Sequence, residues 1–249
     1  MEQGIRRRRR TSFSRTDLLV AGLMVFFSWV PLVQVFTQEV TPDTVRMWLQ
    51  TEPMAAPYEG LSPSIVQVFE AARSDGLPLE PLFDKLKEGA AKRVTPARLK
   101  PVLEGELNRL LKVRKILQEG FGKDVTKGPF FPQGMKVGSL ALLSGFPEEG
   151  LKIVCTPSIG MEKMVSLVPP LVEMHRIEAL PLQPLSSFVQ ALSASPIPPS
   201  QYGTFVSLYL KATAGRILPP DTLRIMTDVL KAGGGILQIE RELARRSKK

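Results

Sequence analysis

The chain has 249 residues, a formal net charge of +9 and a single cysteine, which excludes an intramolecular disulfide. The excess charge lies mainly at the two ends, with +4 in residues 1–17 and +3 in residues 238–249, so it argues against a nucleic-acid-binding body. The remaining chain, roughly 210 residues, is long enough for one sizeable core or two small ones.

The first 37 residues are typical of an export signal. A basic run from Arg6 to Arg10 precedes an apolar stretch from Leu18 to Phe36. This order directs a chain into the secretion machinery with its N-terminus in the cytoplasm. The segment from Val35 to Thr37 is a candidate cleavage region, whereas the whole stretch of 19 residues from Leu18 to Phe36 is nearly long enough to span a bilayer. We therefore predict a cleaved signal peptide or an uncleaved membrane anchor, and a protein that is periplasmic or tethered to the inner membrane. A buried cytosolic helix behind a basic tail is the remaining alternative.

The chain that follows is predicted to be all-α, because prolines repeatedly follow a capping hydroxyl. Thr41-Pro42, Ser62-Pro63 and Thr95-Pro96 fit helix starts, as does Pro219-Pro220-Asp221 with its acidic first turn. Apolar residues then recur at helical spacing, and strand-like alternation is hard to find. Pro101 lies inside one such pattern, so that helix either kinks or starts there. The pattern after Thr95 comprises Leu99, Leu103, Leu107, Leu110 and Leu117.

An internal repeat is predicted from three similar segments. Residues 76–82 (GLPLEPL) match residues 179–185 (ALPLQPL) at an offset of 103, and residues 145–151 are a weaker match. The three starts are separated by 69 and 34 residues. A period near 34 is typical of stacked helical hairpins. The alternative is a chance match, because proline and leucine are common here.

Glycine and proline suggest how the chain is divided. Gly120 to Gly138 is rich in both and is predicted to be a loop between two helical halves, with Phe130-Phe131 fixing it to the core. We expect one or two small helical subdomains. The predicted boundaries are 1–37 for the signal or anchor, 38–119 and 139–232 for the helical subdomains, 120–138 for the loop, and 233–249 for a short helix and basic tail.

The chemistry-bearing residues are sparse. His175 is the only histidine and is predicted to be partly exposed on a helix, while Cys155 is predicted to be a small buried residue. The sequence has no G-x-S-x-G elbow, H-E-x-x-H helix or Walker loop. We therefore predict no catalytic residue, no metal site and no cofactor. An enzyme with an unrecognised carboxylate site is an alternative, since two distant acids suffice for glycosidase chemistry.

A second alternative is a polyanion-binding surface within residues 85–127. This segment holds twelve basic and five acidic residues. Because it has almost no aromatic side chains for base stacking, we expect a cell-wall polymer or anionic lipid headgroups rather than nucleic acid. The competing interpretation is the solvated face of an amphipathic helix. The candidate binding residues are Lys92, Arg93, Arg98, Arg109, Lys112 and Lys115.

One segment resembles a motif of exported bacterial helical proteins, which are mainly uncharacterised. The residues concerned are Gly76-Leu77-Pro78, Leu82, Lys85 and residues 88–92, and the similarity covers roughly residues 60–117. The resemblance implies a bacterial origin, an envelope location and helical hairpins, and it implies no catalytic residues. We therefore predict a non-catalytic interaction or scaffold module of the cell envelope. Its partner would be another envelope protein or a second copy of itself, with the membrane reached through residues 18–36.

Overall fold

A computed structural model describes residues 39–247, and this range contains helices and no strand. The predicted all-α class is confirmed for these residues, whereas the predicted signal or anchor lies outside them. From Val40 onward the chain forms one compact unit. The eleven α-helices of the described range are α1 (Pro42–Thr51), α2 (Ser62–Ser74), α3 (Glu80–Ala91), α4 (Pro96–Phe121), α5 (Phe131–Leu143), α6 (Glu148–Val154), α7 (Met161–Ile177), α8 (Leu182–Ala194), α9 (Thr204–Ala214), α10 (Pro219–Lys231) and α11 (Ile236–Arg246). Three 3₁₀-helices span Pro53–Leu61, Lys123–Lys127 and Pro199–Gln201.

The predicted helix starts are largely confirmed. At α1 the Thr41 hydroxyl accepts the Thr44 N–H at 3.1 Å, which satisfies one of the free donors of the first turn. Helices α4 and α10 begin at Pro96 and Pro219 as expected. Thr95, however, makes no side-chain cap hydrogen bond. Helix α4 starts before Pro101 and runs through it, and this proline is exposed.

The predicted loop over residues 120–138 is wrong for its second half, because α5 begins at Phe131. The two glycines that suggested a loop instead allow close helix packing. A Cβ at Gly134 would lie 2.7 Å from the Met161 sulfur, and one at Gly138 would lie 2.6 Å from a Val113 methyl. Helix α5 is thus pressed between α4 and α7. Phe131 is buried, as predicted.

Each of the three predicted repeat segments begins at a junction between helices. Gly76 and Gly145 adopt left-handed φ values of +64° and +83° after α2 and α5. The residue after each glycine donates its N–H to the carbonyl five residues earlier, which ends the helix as a Schellman turn. Ala179 has no such conformation. There the Leu180 N–H is accepted by Nδ1 of His175 at 3.1 Å, so the histidine side chain replaces the missing carbonyl cap.

A longer duplication relates residues 40–104 (the first unit) to residues 180–244 (the second unit). Gly76 corresponds to Arg216 and Arg93 to Gly233, with 140 residues between the members of each pair, and all four have left-handed φ. The helix series α1–α2–α3–α4 of the first unit therefore corresponds to α8–α9–α10–α11 of the second. Equivalent buried pairs include Val45/Leu185, Leu49/Val189, Ile65/Phe205, Phe69/Tyr209, Leu86/Met226, Leu99/Ile239 and Leu103/Leu243.

Arg93 and Arg216 have left-handed φ values, and replacing either of them by glycine should raise the stability of the protein. Arg216 has a φ of +62°, where a side chain costs about 1 kcal/mol relative to glycine. We expect Arg216→Gly to raise the free energy of unfolding by about 0.5 kcal/mol, since glycine's greater freedom in the unfolded chain offsets part of the relief. Urea unfolding measures the change. Gly76→Ala, at the equivalent position of the first unit, should lower stability, and a loss on Arg216→Gly would contradict this explanation.

Candidate functional site

An apolar groove runs between α5, α7 and the start of α9. Its walls include Val137 and Leu140 of α5, Pro169 and Pro170 of α7, and Val206 of α9, and its volume is about 480 Å³. Leu140 is 52% exposed, although it is a large apolar side chain. An exposed apolar side chain beside an apolar concavity is a feature of binding sites.

The two adjacent prolines shape the α7 wall of the apolar groove. Pro169 and Pro170 carry no backbone N–H, so the carbonyls of Val165 and Ser166 lose their usual partners in the helix. The helix persists through this interruption because buried residues precede and follow the prolines, among them Val168 and Leu171. The groove wall therefore presents two rigid apolar rings with no backbone donor of their own.

The groove carries almost no charge. Glu173 is the one charged residue among the described residues that line it. Its carboxylate accepts a hydrogen bond from Nη1 of Arg176 at 3.0 Å, one turn further along α7. Recognition here would therefore depend on apolar contact and shape rather than on charge.

Most of the predicted polyanion-binding residues lie in ion pairs. Lys112 Nζ lies 3.7 Å from the Glu148 carboxylate, and Lys115 Nζ lies 3.9 Å from that of Glu119. Lys92 pairs with Glu88, and hydrogen bonds from Lys85 and Lys92 lower the pKa of this carboxyl to about 2. These carboxylates reduce the positive field that a polyanion would meet.

Arg93 and Arg98 differ from the other four predicted residues, because neither forms an ion pair within residues 39–247. Both are exposed, at the turn between α3 and α4 and in the first turn of α4. Of the six candidate residues, these two are the ones without a carboxylate partner in the described range. Polyanion binding stays a prediction.

Arg109 belongs to a buried polar cluster that the sequence analysis missed. Its Nη2 donates to Oε2 of Glu106 at 2.6 Å, and Ser139 Oγ of α5 donates to Oε1 at 2.6 Å. Glu106 is only 4% exposed, and Nε of Arg109 is buried without a hydrogen-bond partner within residues 39–247. The sequence did indicate that Glu106 is buried, since this residue continues the apolar stripe of Leu103 and Leu110. The cluster links α4 to α5.

His175 and Cys155 are as predicted. His175 is half-buried on α7 and stacks edge-on against Phe146, with ring centroids 5.5 Å apart. Cys155 is buried, and desolvation raises the pKa of its thiol to about 12. A thiol with this pKa is protonated at neutral pH and is a poor nucleophile. The described part of the chain contains no group of three or more potential metal ligands.

Two other concavities each collect a pair of carboxylates. One, of about 340 Å³ between α8 and α10, contains Asp221 and Asp228. Asp221 accepts a hydrogen bond from Arg224 at 2.8 Å. The other contains Glu59 and Glu70. An enzyme with a carboxylate site stays a prediction, and these concavities are where such a pair would lie.

Comparison with known proteins adds no assignment to this geometry. No protein-family model, curated protein or solved structure matches the chain. Within residues 39–247 no helix is both long enough and apolar enough to cross a membrane.

Proposed function

We propose that the chain is a non-catalytic helical interaction module of the bacterial cell envelope, which binds a partner protein through the apolar groove. The observation that carries this proposal is the exposure of Leu140 beside a groove of about 480 Å³ whose lining is almost uncharged. Burying apolar surface of this kind on a partner contributes about 25 cal/mol per Å² before the costs of association.

The envelope location rests on the N-terminal sequence. The basic run followed by the apolar stretch of residues 18–36 supports export, with the helical body periplasmic or held at the inner membrane. The resemblance of residues 60–117 to exported bacterial proteins supports the same location. Cell fractionation with N-terminal sequencing tests it: an intact Met1 species in the cytosol would contradict export, and a start near Gln38 in the periplasm would indicate cleavage.

Binding through the groove is tested by site-specific photo-crosslinking in intact cells. A crosslinking amino acid at Leu140 should yield one discrete adduct, whereas the same residue at Met47 of α1 should yield none. Met47 is a matched control because it is also a large, exposed apolar residue on a helix. Mass spectrometry of the adduct identifies the partner.

The crosslink should also depend on the chemistry of the groove. Leu210→Glu adds a charge on α9 one turn beyond Val206, and at an exposed position it should change stability by less than about 0.5 kcal/mol. We expect this substitution to abolish the adduct at Leu140. An adduct that persists unchanged, or equal crosslinking at Leu140 and Met47, would refute the groove as the binding site.

A further inference from the structure

Three helix-to-helix turns and the end of α11 form one continuous edge of the molecule. The ring of Phe146, in the turn after α5, lies 5.5 Å from the histidine ring near the end of α7. The turn after α7 contacts α9, because Tyr209 Oη donates to the Glu178 carbonyl at 3.2 Å. The turn after α9 reaches the end of α11, since a Cβ at Gly215 would lie 2.8 Å from that of Ser247. We call this surface the turn edge, and it comprises residues 143–147, 177–182, 215–218 and 245–247.

Large apolar side chains project into solvent along the turn edge. Leu218, between α9 and α10, is 64% exposed. Leu143, Ile177 and Leu182 are also exposed, and each lies beside one of the other two turns. The concavities described above for residues 39–247 are lined by none of these four side chains. The turn edge therefore carries protruding apolar groups rather than an apolar groove.

Arginines accompany these apolar side chains. Arg216, in the turn after α9, is exposed and forms no ion pair within residues 39–247. Arg245 and Arg246 share a single carboxylate, that of Glu242, and two further lysines follow them in the sequence. Glu178 is the one acidic residue of the turn edge, which therefore has an excess of positive charge.

The first unit lacks this combination at the equivalent turn. Gly76 and Pro78 stand where the second unit has Arg216 and Leu218. The two leucines of the first-unit turn are buried. An exposed leucine beside an arginine is thus a feature of the second unit, and the fold of the unit does not require it.

We propose that the turn edge docks on the surface of a lipid bilayer that contains anionic headgroups. Apolar side chains flanked by arginines suit this interface, because the apolar groups enter the boundary with the acyl chains while guanidinium groups bind lipid phosphates. A fluid bilayer takes up protruding leucines directly, whereas a protein partner would need a shaped pocket for each of them. The inference goes beyond the proposed function and does not depend on what the apolar groove binds.

The test places an environment-sensitive fluorophore on the full-length protein through an introduced cysteine. Cys155 does not compete for the label, because it is buried and its thiol stays protonated at neutral pH. The protein is mixed with vesicles of phosphatidylcholine and phosphatidylglycerol that contain a spin-labelled lipid. We expect a fluorophore at Leu218→Cys to shift its emission to shorter wavelength and to be quenched by that lipid.

Leu237→Cys is the matched control for exposure. Leu237 is 67% exposed, but it lies at the opposite end of α11, about 15 Å along the helix from the turn edge. A fluorophore there should remain unquenched, even if residues 18–36 hold the same protein on the vesicle. Equal quenching at the two positions, or none at Leu218, would overturn the inference.

The contribution of positive charge is tested by Arg216→Gln in the protein labelled at Leu218→Cys. We expect this substitution to lower the ratio of quenched to unquenched fluorophore about fivefold, because one arginine near an anionic surface is lost. Arg93→Gln is the matched control, since Arg93 is also exposed, has a left-handed φ and forms no ion pair within residues 39–247. It should leave the ratio unchanged.

Two results of the charge test would overturn the inference. A loss of quenching on Arg93→Gln but not on Arg216→Gln would assign lipid binding to the basic segment 85–127. Quenching that is equally strong in vesicles of phosphatidylcholine alone, and insensitive to Arg216→Gln, would show apolar adsorption without recognition of anionic headgroups.

Discussion

Replacing Glu106 by leucine is expected to lower the free energy of unfolding by about 3 kcal/mol, because it leaves a mostly buried guanidinium without its carboxylate. The Arg109 side chain is 24% exposed and already has one buried N–H without a partner. Ser139 would lose its acceptor as well. Urea unfolding at neutral pH, with the slope compared between variants, measures the change.

The double variant Glu106→Leu, Arg109→Leu distinguishes a lost ion pair from a general packing defect. Removing both charges leaves only the Ser139 hydroxyl unsatisfied, so we expect the double variant to recover most of the loss. Losses that simply add would show that the two side chains act independently.

Gly120→Ala should have an effect of similar size, for a steric reason. A Cβ at this position would lie 2.0 Å from the carbonyl oxygen of Cys155, and backbone cannot move aside as the end of a flexible side chain can. We expect a loss of about 3 kcal/mol in the free energy of unfolding, at the upper end of what overpacking costs. Thermal unfolding followed by circular dichroism measures it.

Gly105→Ala is the matched control on the same helix. Its Cβ would meet only Nη1 of Arg109, at an ordinary contact distance of 3.7 Å. Because alanine favours the helix over glycine, this variant should gain up to about 1 kcal/mol. A loss of similar size in both variants would mean that α4 tolerates no added methyl group, and that the Cys155 contact is not special.

The sequence predicted the helices better than it predicted their packing. Proline positions marked the starts of α4 and α10, since proline's fixed φ suits a first turn. The same reasoning failed at Gly134 and Gly138, because glycine also permits close packing between helices. Local sequence does not separate these two uses, which depend on the helix that lies opposite.

The candidate site was beyond the reach of the sequence analysis. The groove joins residues around 140, 169 and 206, and helical periodicity shows which faces are apolar but not which of them remain uncovered. The 140-residue duplication escaped notice for a related reason. Equivalent positions share burial and backbone conformation rather than residue type, as at Gly76 and Arg216.

The predicted polyanion surface shows why an excess of basic residues in a sequence segment does not by itself predict a positive surface. Lysines and arginines in residues 85–127 outnumber acids, yet carboxylates one helical turn away, or on α6, pair with many of them. Arg109 is the clearest case, because its partner Glu106 lies on the buried side of the same helix. Net charge along a segment therefore overstates the field at its surface.

Helix α4 decides whether the chain can be cut into two fragments that each fold alone. Its first turns complete the first unit, and its later turns carry Leu110, Val113 and Leu117 into contact with α5 and α6. Severing the chain within α4 would leave an unprotected apolar stripe on both pieces. Neither piece would be a self-sufficient folding unit, and a nicked protein would be held together as a non-covalent pair of fragments.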